Sequence, residues 1–351
     1  MKGLVLEGGG VKGSYQVGAY YAFKNQRIKF DGIVGTSIGS FNAAMLASGR
    51  ERELLKFWYE ISPGAAMNFD PNFVKAFNKG KINIRTFFGA FKTLKGIVKN
   101  FGLDYTKLIS MIQIALNYEQ LMTSKMDYGL VTVRLSKKDG IKPVYIYKED
   151  LVDDDKLIEY IMASCYLPVF KQKRIIDNHY YLDGGFYDNA PFKLLTDKGY
   201  KELYIVNIKG IGFNKKFPKG VKVTYITPSK DNGGVLELNQ DVIKENIKMG
   251  YYDTIRVLKK LDGYKYCFKR RKESYYKFLC RKVDKRLIRR VMNFFNVDDC
   301  KSVVIKSLEY ILEKDNVDYY DVYYSYKLIK KYKYNKSKKF VYIFIRQLRF
   351  F

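Results

Sequence analysis

The sequence predicts an α/β protein whose central sheet is mostly parallel. Two strand-like segments, residues 2–7 and 31–36, each lead through a short turn into a helix-like segment near the start of the chain. This repetition of strand, turn and helix is typical of βαβ units, whose crossover connections make neighbouring strands parallel. Hydrophobic residues make up 47% of the 351 residues, which is enough for a buried core and argues against a disordered chain.

Further segments along the chain extend this prediction. Strand-like runs occupy residues 129–135, 143–148, 178–182, 203–208 and 222–227. Apolar residues at helical spacing predict a helix over 239–261, which closes a first domain, 1–261. The interval 51–128 has mainly helical character, and we interpret it as a helical insert over one face of the sheet, a candidate lid.

Residues 262–351 differ in composition and are predicted to form a helical, basic C-terminal region. They hold 24 Lys and Arg residues against 10 Asp and Glu residues, a net +14 of the total +28. The clearest amphipathic helix spans 282–295. Its apolar half carries Val283, Leu287, Val291, Phe294 and Phe295, and its basic half carries Lys285, Arg286, Arg289 and Arg290.

Two interpretations of this basic region stay open. The basic half of the helix could dock on an anionic membrane surface, with the aromatic residues of the closing FVYIFIRQLRFF at the interface. Alternatively, both apolar faces pack on the rest of the protein, and the charge reflects a Lys-rich composition. A nucleic-acid partner is not expected.

Composition and cysteine spacing exclude several classes of protein. No uncharged apolar run approaches the length needed to span a bilayer, and the opening MKGLVLEGGG lacks the apolar core of a secretion signal. The four cysteines form no CxxC pair and the chain has a single histidine, so no zinc site is expected. We therefore expect reduced thiols, no metal or other cofactor, and a cytoplasmic protein that works peripherally on the inner membrane face.

A GxSxG motif, formed by Gly35, Ser37 and Gly39, lies between a predicted strand and a predicted helix. Small residues two positions before and after the serine permit a sharp turn that projects the hydroxyl as a nucleophile. A serine at this place could equally be only the N-cap of the following helix.

A glycine-rich turn, GGGVKG from Gly8 to Gly13, also joins a strand to a helix. Its backbone N–H groups could stabilise the oxyanion that forms when a serine attacks an ester. The same letters satisfy the GxGxxG pattern of dinucleotide sites, but such a site needs an acidic residue at the end of the second strand. Asp31 stands where that strand begins, which disfavours a dinucleotide. A non-catalytic phosphate-binding protein remains the rival from another class.

A serine nucleophile at position 37 would need a base to deprotonate its hydroxyl. The only histidine, His179, is four residues before Asp183 on one predicted strand, so the two side chains would be ~13 Å apart at ~3.3 Å per residue. A Ser–His–Asp triad is therefore improbable. Asp183, followed by Gly184 and Gly185, is the better candidate as a direct base. Alternatively, an Asp before a glycine pair has only a structural role, in an Asx-type turn.

Taken in order, these motifs resemble the patatin-like phospholipase family. The resemblance covers residues 1 to about 261 and rests on GGGVKG, GTSIGS, ASCYLPVF at 163–170, LDGGFYDNAPF at 182–192 and NIKMGYYDT at 246–254. It implies a three-layer α/β/α fold and a Ser–Asp dyad, in which Ser37 is the nucleophile and Asp183 is the general base.

The resemblance also implies roles for the glycines and a reaction. Gly8, Gly9 and Gly10 would form the oxyanion hole, and the remaining motif glycines are Gly13, Gly35, Gly39, Gly184 and Gly185. The expected reaction is hydrolysis of lipid acyl esters through an acyl-serine intermediate, without a metal. Transfer of the acyl group to a lipid alcohol is the neighbouring alternative, and residues 262–351 fall outside the resemblance.

Overall fold

The structure of the protein is a computed structural model. It describes residues 1–61, 106–136, 140–167, 174–210, 212–213 and 215–349. The chain forms two compact units, Met1–Tyr251 (unit 1) and Tyr252–Phe351 (unit 2). This division lies within a helix and earlier than the boundary expected after residue 261, which stays a prediction.

Unit 1 is built on a seven-stranded sheet with the order β4-β3-β2-β1-β6-β7, in which β5 also pairs with β3. The strands are β1 (Lys2–Leu6), β2 (Gly32–Thr36), β3 (Asp127–Ser136), β4 (Gly140–Tyr147), β5 (Tyr180–Asp183), β6 (Glu202–Val206) and β7 (Lys222–Ile226). Strands β1, β2, β3, β6 and β7 are parallel, whereas β4 and β5 run antiparallel to β3. The mostly parallel sheet predicted from the sequence is confirmed.

Helices flank this sheet, consistent with the three-layer α/β/α fold that the resemblance implied. They are α1 (Ser14–Asn25), α2 (Ile38–Ala47), α3 (Glu51–Glu60), α4 (Thr106–Ala115), α5 (Tyr118–Thr123), α6 (Asp154–Ser164), α7 (Lys193–Thr196) and α8 (Gln240–Leu258). Of the predicted insert, residues 62–105 lie outside the described residues. The described remainder is mainly helical, as α3, α4 and α5, and ends at the first residues of β3.

The central strands are apolar because they are buried on both faces. Every residue of β2 is buried, as is typical of parallel strands covered by helices on each side. On one face Val5 and Val34 pack with Leu195 of α7 in a single cluster. Close helix packing adds to this, since a Cβ on Gly18 of α1 would lie 1.8 Å from a carbonyl oxygen of α8.

Strand register brings two distant parts of the chain together beside β3. Thr36, the last residue of β2, pairs with Val131, and Asp183, the last residue of β5, pairs with the next residue, Thr132. Because β2 runs parallel and β5 antiparallel to β3, their carboxyl ends meet. The residue after β2 is Ser37, so this topology alone places Ser37 next to Asp183.

Unit 2 is mainly helical, as predicted. It contains β8 (Cys267–Phe268), α9 (Glu273–Cys280), α10 (Lys285–Phe295), α11 (Cys300–Lys314), β9 (Val322–Tyr323), α12 (Ser325–Tyr332) and α13 (Phe340–Gln347). A single buried cluster joins these helices, with Val291, Ile311 and Phe344 fully buried. In the described part of the chain, no helix has both the length and the apolar character required to cross a bilayer.

The apolar sides of the C-terminal helices pack within unit 2. Leu287 and Phe295 of α10 pack against the buried cluster, although Phe294 remains 54% exposed. In α13, Phe344 and Ile345 are fully buried. Of the two interpretations, α13 therefore shows the packing one for its apolar side, whereas docking on a membrane stays a prediction and residues 350–351 lie outside the described residues.

Candidate active site

Ser37 occupies a strained turn between β2 and α2. Its φ of 54° and ψ of −131° are unusual for a residue with a side chain. Three hydrogen bonds hold this conformation. The Ser37 carbonyl accepts from the N–H and the hydroxyl of Ser40 at 2.8 and 2.6 Å, and the Ser37 N–H donates to Ser164 Oγ at 2.8 Å. The turn is thus a nucleophile elbow in geometry as well as in sequence.

The two glycines of GxSxG are required by the closeness of the backbone around Ser37. A Cβ on Gly35 would lie 2.1 Å from the Gly39 carbonyl oxygen, and a Cβ on Gly39 would lie 2.3 Å from the Leu6 carbonyl oxygen. Neither contact is tolerable between non-bonded atoms, and both involve backbone that cannot move aside. Any larger residue would open the elbow.

Asp183 lies beside the Ser37 side chain, whose hydroxyl acts to lower the pKa of the carboxyl. The carboxylate also accepts the N–H of Gly185 at 2.8 Å, and the Asp183 N–H donates to the Tyr166 carbonyl at 2.8 Å. Burial raises the pKa of Asp183 to about 6, although the bonds from Ser37 and Gly185 act in the opposite direction. The carboxylate is therefore ionised at neutral pH and is more basic than an exposed aspartate.

The glycine after Asp183 allows the chain to turn against β3. A Cβ on Gly184 would lie 2.1 Å from the Val131 carbonyl oxygen. Residues Gly184–Phe186 then form a short 3₁₀ turn. The turn function considered for Asp183 is thus present together with the contact to Ser37, and the two uses do not compete.

His179 lies at the end of β5 that is farther from Ser37. It precedes Tyr180, which pairs with Leu135 of β3, whereas Asp183 pairs with Thr132 at the end near Ser37. The strand length separates the histidine and the aspartate by ~13 Å, at ~3.3 Å per residue. The geometry agrees with the expectation that this histidine takes no part in a triad.

The glycine-rich turn lies directly against Ser37. A Cβ on Gly8 would lie 2.9 Å from Ser37 Cβ and 2.7 Å from Asn189 Oδ1. The Gly8 N–H donates to Asn189 Oδ1 at 3.1 Å, and Asn189 Nδ2 donates to the Gly8 carbonyl at 3.3 Å. The Gly8 N–H, which was expected as an oxyanion donor, is therefore engaged here with the Asn189 amide.

Gly9 and Gly10 have N–H groups that form no hydrogen bond within the described part of the chain. Gly10 has a φ of 58° and begins the 3₁₀ turn Gly10–Gly13. That conformation favours glycine, and a Cβ on Gly10 would lie 2.0 Å from the Val235 carbonyl oxygen. A Cβ on Gly13 would lie 3.0 Å from the side chain of Ile38.

Asp31 is not placed to hold a dinucleotide at the glycine-rich turn. Its carboxylate accepts the N–H of Lys2 at 2.7 Å, beside the residues that begin β1 and β2. Ligands of parallel sheets bind at the carboxyl ends of the strands, where Ser37 lies instead.

Sequence reasoning missed two residues that touch Ser37. The Ser164 hydroxyl accepts the Ser37 N–H and donates to the Val131 carbonyl at 2.7 Å, and it is fully buried. The Cys165 thiol lies beside the side chains of Ser37 and Ser40, which act to lower its pKa. Burial, with a smaller effect of the Asp183 charge, raises the pKa of this thiol far above its ordinary value, so it stays protonated and is a poor nucleophile. The only signal for both residues was the ASCYLPVF segment.

The structure thus combines a three-layer α/β/α fold with a strained serine on the turn between β2 and α2 and a buried aspartate beside it. The sequence model of the patatin-like phospholipase family matches residues 4–196. The chain belongs to this family, and its membership supports a lipid hydrolase. No curated protein sequence matches the chain.

Solved structures show weaker overall likeness. VipD from Legionella pneumophila is 13% identical, with 98% of this chain and 83% of that chain covered and a TM-score of 0.40. The type III effector protein ExoU is 11% identical, with 98% and 73% covered and a TM-score of 0.41. Full-length ExoU in complex with SpcU from Pseudomonas aeruginosa gives 11% identity, 99% and 70% coverage and a TM-score of 0.34.

Proposed function

We propose that the protein is a serine lipid acyl hydrolase of the phospholipase A or lysophospholipase type, with Ser37 as nucleophile and Asp183 as general base. The observation that carries this proposal is the position of the buried Asp183 carboxylate beside the Ser37 side chain, which strand register places at a strained elbow. A buried carboxylate that contacts the hydroxyl directly can accept its proton, so no imidazole is required.

The first half of the reaction acylates the serine. The Asp183 carboxylate accepts the proton of the Ser37 hydroxyl as Oγ attacks the ester carbonyl carbon of the lipid. The N–H groups of Gly9 and Gly10 stabilise the negative charge that develops on the carbonyl oxygen. When the tetrahedral intermediate collapses, the C–O bond to the lipid alcohol breaks, and the alcohol oxygen takes the proton from Asp183.

The second half releases the acid and restores the enzyme. Asp183 accepts a proton from a water molecule, whose oxygen attacks the acyl carbon, and the Ser37–acyl bond breaks with return of that proton to Ser37 Oγ. The strain at Ser37 favours this cycle, because the elbow holds Oγ in one orientation in both halves. A lipid alcohol in place of water would give acyl transfer by the same steps.

Product analysis tests this proposal. The full chain, incubated with phosphatidylcholine vesicles, is expected to release free fatty acid and lysophospholipid in equal amounts as measured by mass spectrometry. The measurement is repeated with an added monoacylglycerol acceptor. Acyl groups that appear only on the acceptor would show a transferase, and the absence of any product from vesicles and from detergent-dispersed lipid would contradict catalysis.

We further propose that helix α10 docks the enzyme on an anionic membrane surface, from the cytoplasm. Lys285, Arg286 and Arg289 are exposed, and within the described part of the chain they form no ion pair. Arg290 lies over the Phe340 ring at 4.7 Å. With the apolar side of α10 packed inward, docking would depend on charge, at about 1 kcal/mol for each basic residue near anionic lipid.

Charge reversal on α10 tests the docking. The triple variant Lys285→Glu, Arg286→Glu, Arg289→Glu is expected to weaken co-sedimentation with phosphatidylserine-containing vesicles by about 100-fold or more. The matched control is Lys327→Glu, Lys330→Glu, Lys331→Glu on α12, which changes net charge equally at three other exposed lysines. Equal loss in both variants would contradict a role specific to α10.

A further inference from the structure

Two of the four free cysteines lie together in unit 2. Cys280 is the last residue of α9, and Cys300 is the first residue of α11. Cys280 belongs to the buried cluster of unit 2 and Cys300 packs against that cluster, where α9 packs on α11. The two thiols are near enough for Cys300 to raise the pKa of Cys280, in addition to the effect of burial. They are therefore paired in space although they are reduced.

We propose that Cys280 and Cys300 are an oxidation site, at which a peroxide converts the paired thiols into a disulfide. The two thiols lie at neighbouring ends of two helices that pack on each other, so bond formation requires a local adjustment and no unfolding. The cross-link would close the segment 281–299, which contains the whole of α10 and its basic side. The site is separate from the Ser37 chemistry and does not rest on the proposed function.

The exposures of the two cysteines set the order of events. Cys280 is buried, with its pKa raised by that burial, whereas Cys300 is partly exposed. An oxidant from solvent therefore reaches Cys300 first. The Cys300 sulfur attacks one oxygen of the peroxide, the O–O bond breaks, and sulfenic acid and water form.

The second step completes the disulfide. Cys280 sulfur attacks the sulfenic sulfur of Cys300, the S–OH bond breaks, and the proton of the Cys280 thiol leaves with the hydroxide as water. The two sulfurs lose two electrons in total, and the peroxide gains them. A thiol reductant reverses the change.

The other two cysteines provide an internal comparison. Cys267 is buried in β8, where its thiol contacts the Tyr252 carbonyl at 3.5 Å, and it has no thiol neighbour in the described part of the chain. Cys165 lies in unit 1 beside Ser37. Selective oxidation should therefore link one pair and leave these two thiols reduced.

Peptide mapping of the oxidised full chain tests this. Folded protein is treated with hydrogen peroxide near equimolar amount, blocked with iodoacetamide and digested with trypsin. Cleavage at Lys277, Arg281, Arg290 and Lys301 would yield FLCR linked to VMNFFNVDDCK, and the link should disappear after reduction. Thiol titration of native and oxidised protein should show a loss of two thiols per chain.

Two variants sharpen the result. Cys267→Ser should form the linked peptide as the wild type does, whereas Cys300→Ser should retain its Cys280 thiol under the same treatment. The proposal would be overturned if the linked peptide were missing from folded wild-type protein. It would also be overturned if that peptide were no more abundant than peptides linked through Cys165 or Cys267. The wild-type map is decisive even where a variant fails to fold.

Discussion

Replacement of Ser37 by Ala is expected to reduce ester hydrolysis by at least about 10⁴-fold, because the acyl-enzyme can no longer form. The same change should abolish labelling by a fluorophosphonate, which reacts with an activated serine hydroxyl. Gel fluorescence of the labelled full chain, together with fatty-acid release from vesicles, measures both effects. Labelling of Ser37→Ala at the wild-type level would exclude Ser37 as the nucleophile.

A matched control separates this loss from misfolding. Ser48, at the end of α2, has its hydroxyl bonded to the Ala44 carbonyl at 2.7 Å and has no place in the site. Ser48→Ala should be labelled as the wild type is. Ser37→Gly should also be inactive but should unfold at a slightly higher temperature, because glycine adopts the φ of 54° found at this position without strain.

Replacement of Asp183 by Asn is expected to reduce kcat/KM by about 10²–10⁴-fold. The amide has nearly the same shape and can still meet Ser37 and Gly185, but it cannot accept the serine proton. The variant should not be less stable near pH 7, because the raised pKa means that the ionised carboxylate is unfavourable in the folded site. Thermal unfolding and steady-state kinetics on the same preparation separate the two properties.

The sheet was predictable because its strands are short apolar runs that alternate with helices. Strands β1 and β2 with the turns that follow them already define a βαβ unit, and their observed bounds differ from the predicted ones by one residue at an end. The antiparallel pairing of β4 and β5 with β3 was not predictable, since an apolar run carries no direction. That pairing is what aligns Asp183 with Ser37.

The residues proposed to react could be predicted, because the chemistry requires those residue types. The residues that hold them in place could not, because many side chains can form the same hydrogen bonds. Ser37 and Asp183 stand in motifs whose spacing reports backbone geometry. Ser164 contacts the Ser37 N–H across 127 residues of sequence, and Asn189 contacts Gly8 across 181. Such contacts depend on the order of the strands in the sheet, which a local sequence pattern does not reveal. For the same reason the sequence did not predict that the Gly8 N–H donates to Asn189.

In the C-terminal unit, the sequence predicted a helix but not the helices that pack against it. The helical period of residues 282–295 predicted the observed α10 and the side on which its basic residues lie. The period did not reveal what covers the apolar side. The structure shows that α11 and α13 cover it, because their own apolar residues, such as Ile311 and Phe344, meet Val291 in one cluster. Charge thus remains as the feature of α10 available to a partner.

The central claim is that a buried aspartate activates the serine without a histidine. The most direct measurement is the pH dependence of fluorophosphonate labelling of Ser37 in the wild type, His179→Gln and Asp188→Asn. Asp188 is a demanding control, because burial raises its pKa to about 6 as well, while its side chain bonds Tyr145. Since the ionised form of Asp183 is the base, the rate should fall tenfold per pH unit below about 6 in all three. The account would be contradicted if the fall in labelling rate at low pH disappeared in His179→Gln or in Asp188→Asn. A wild-type labelling rate that does not change between pH 5 and 8 would also contradict it.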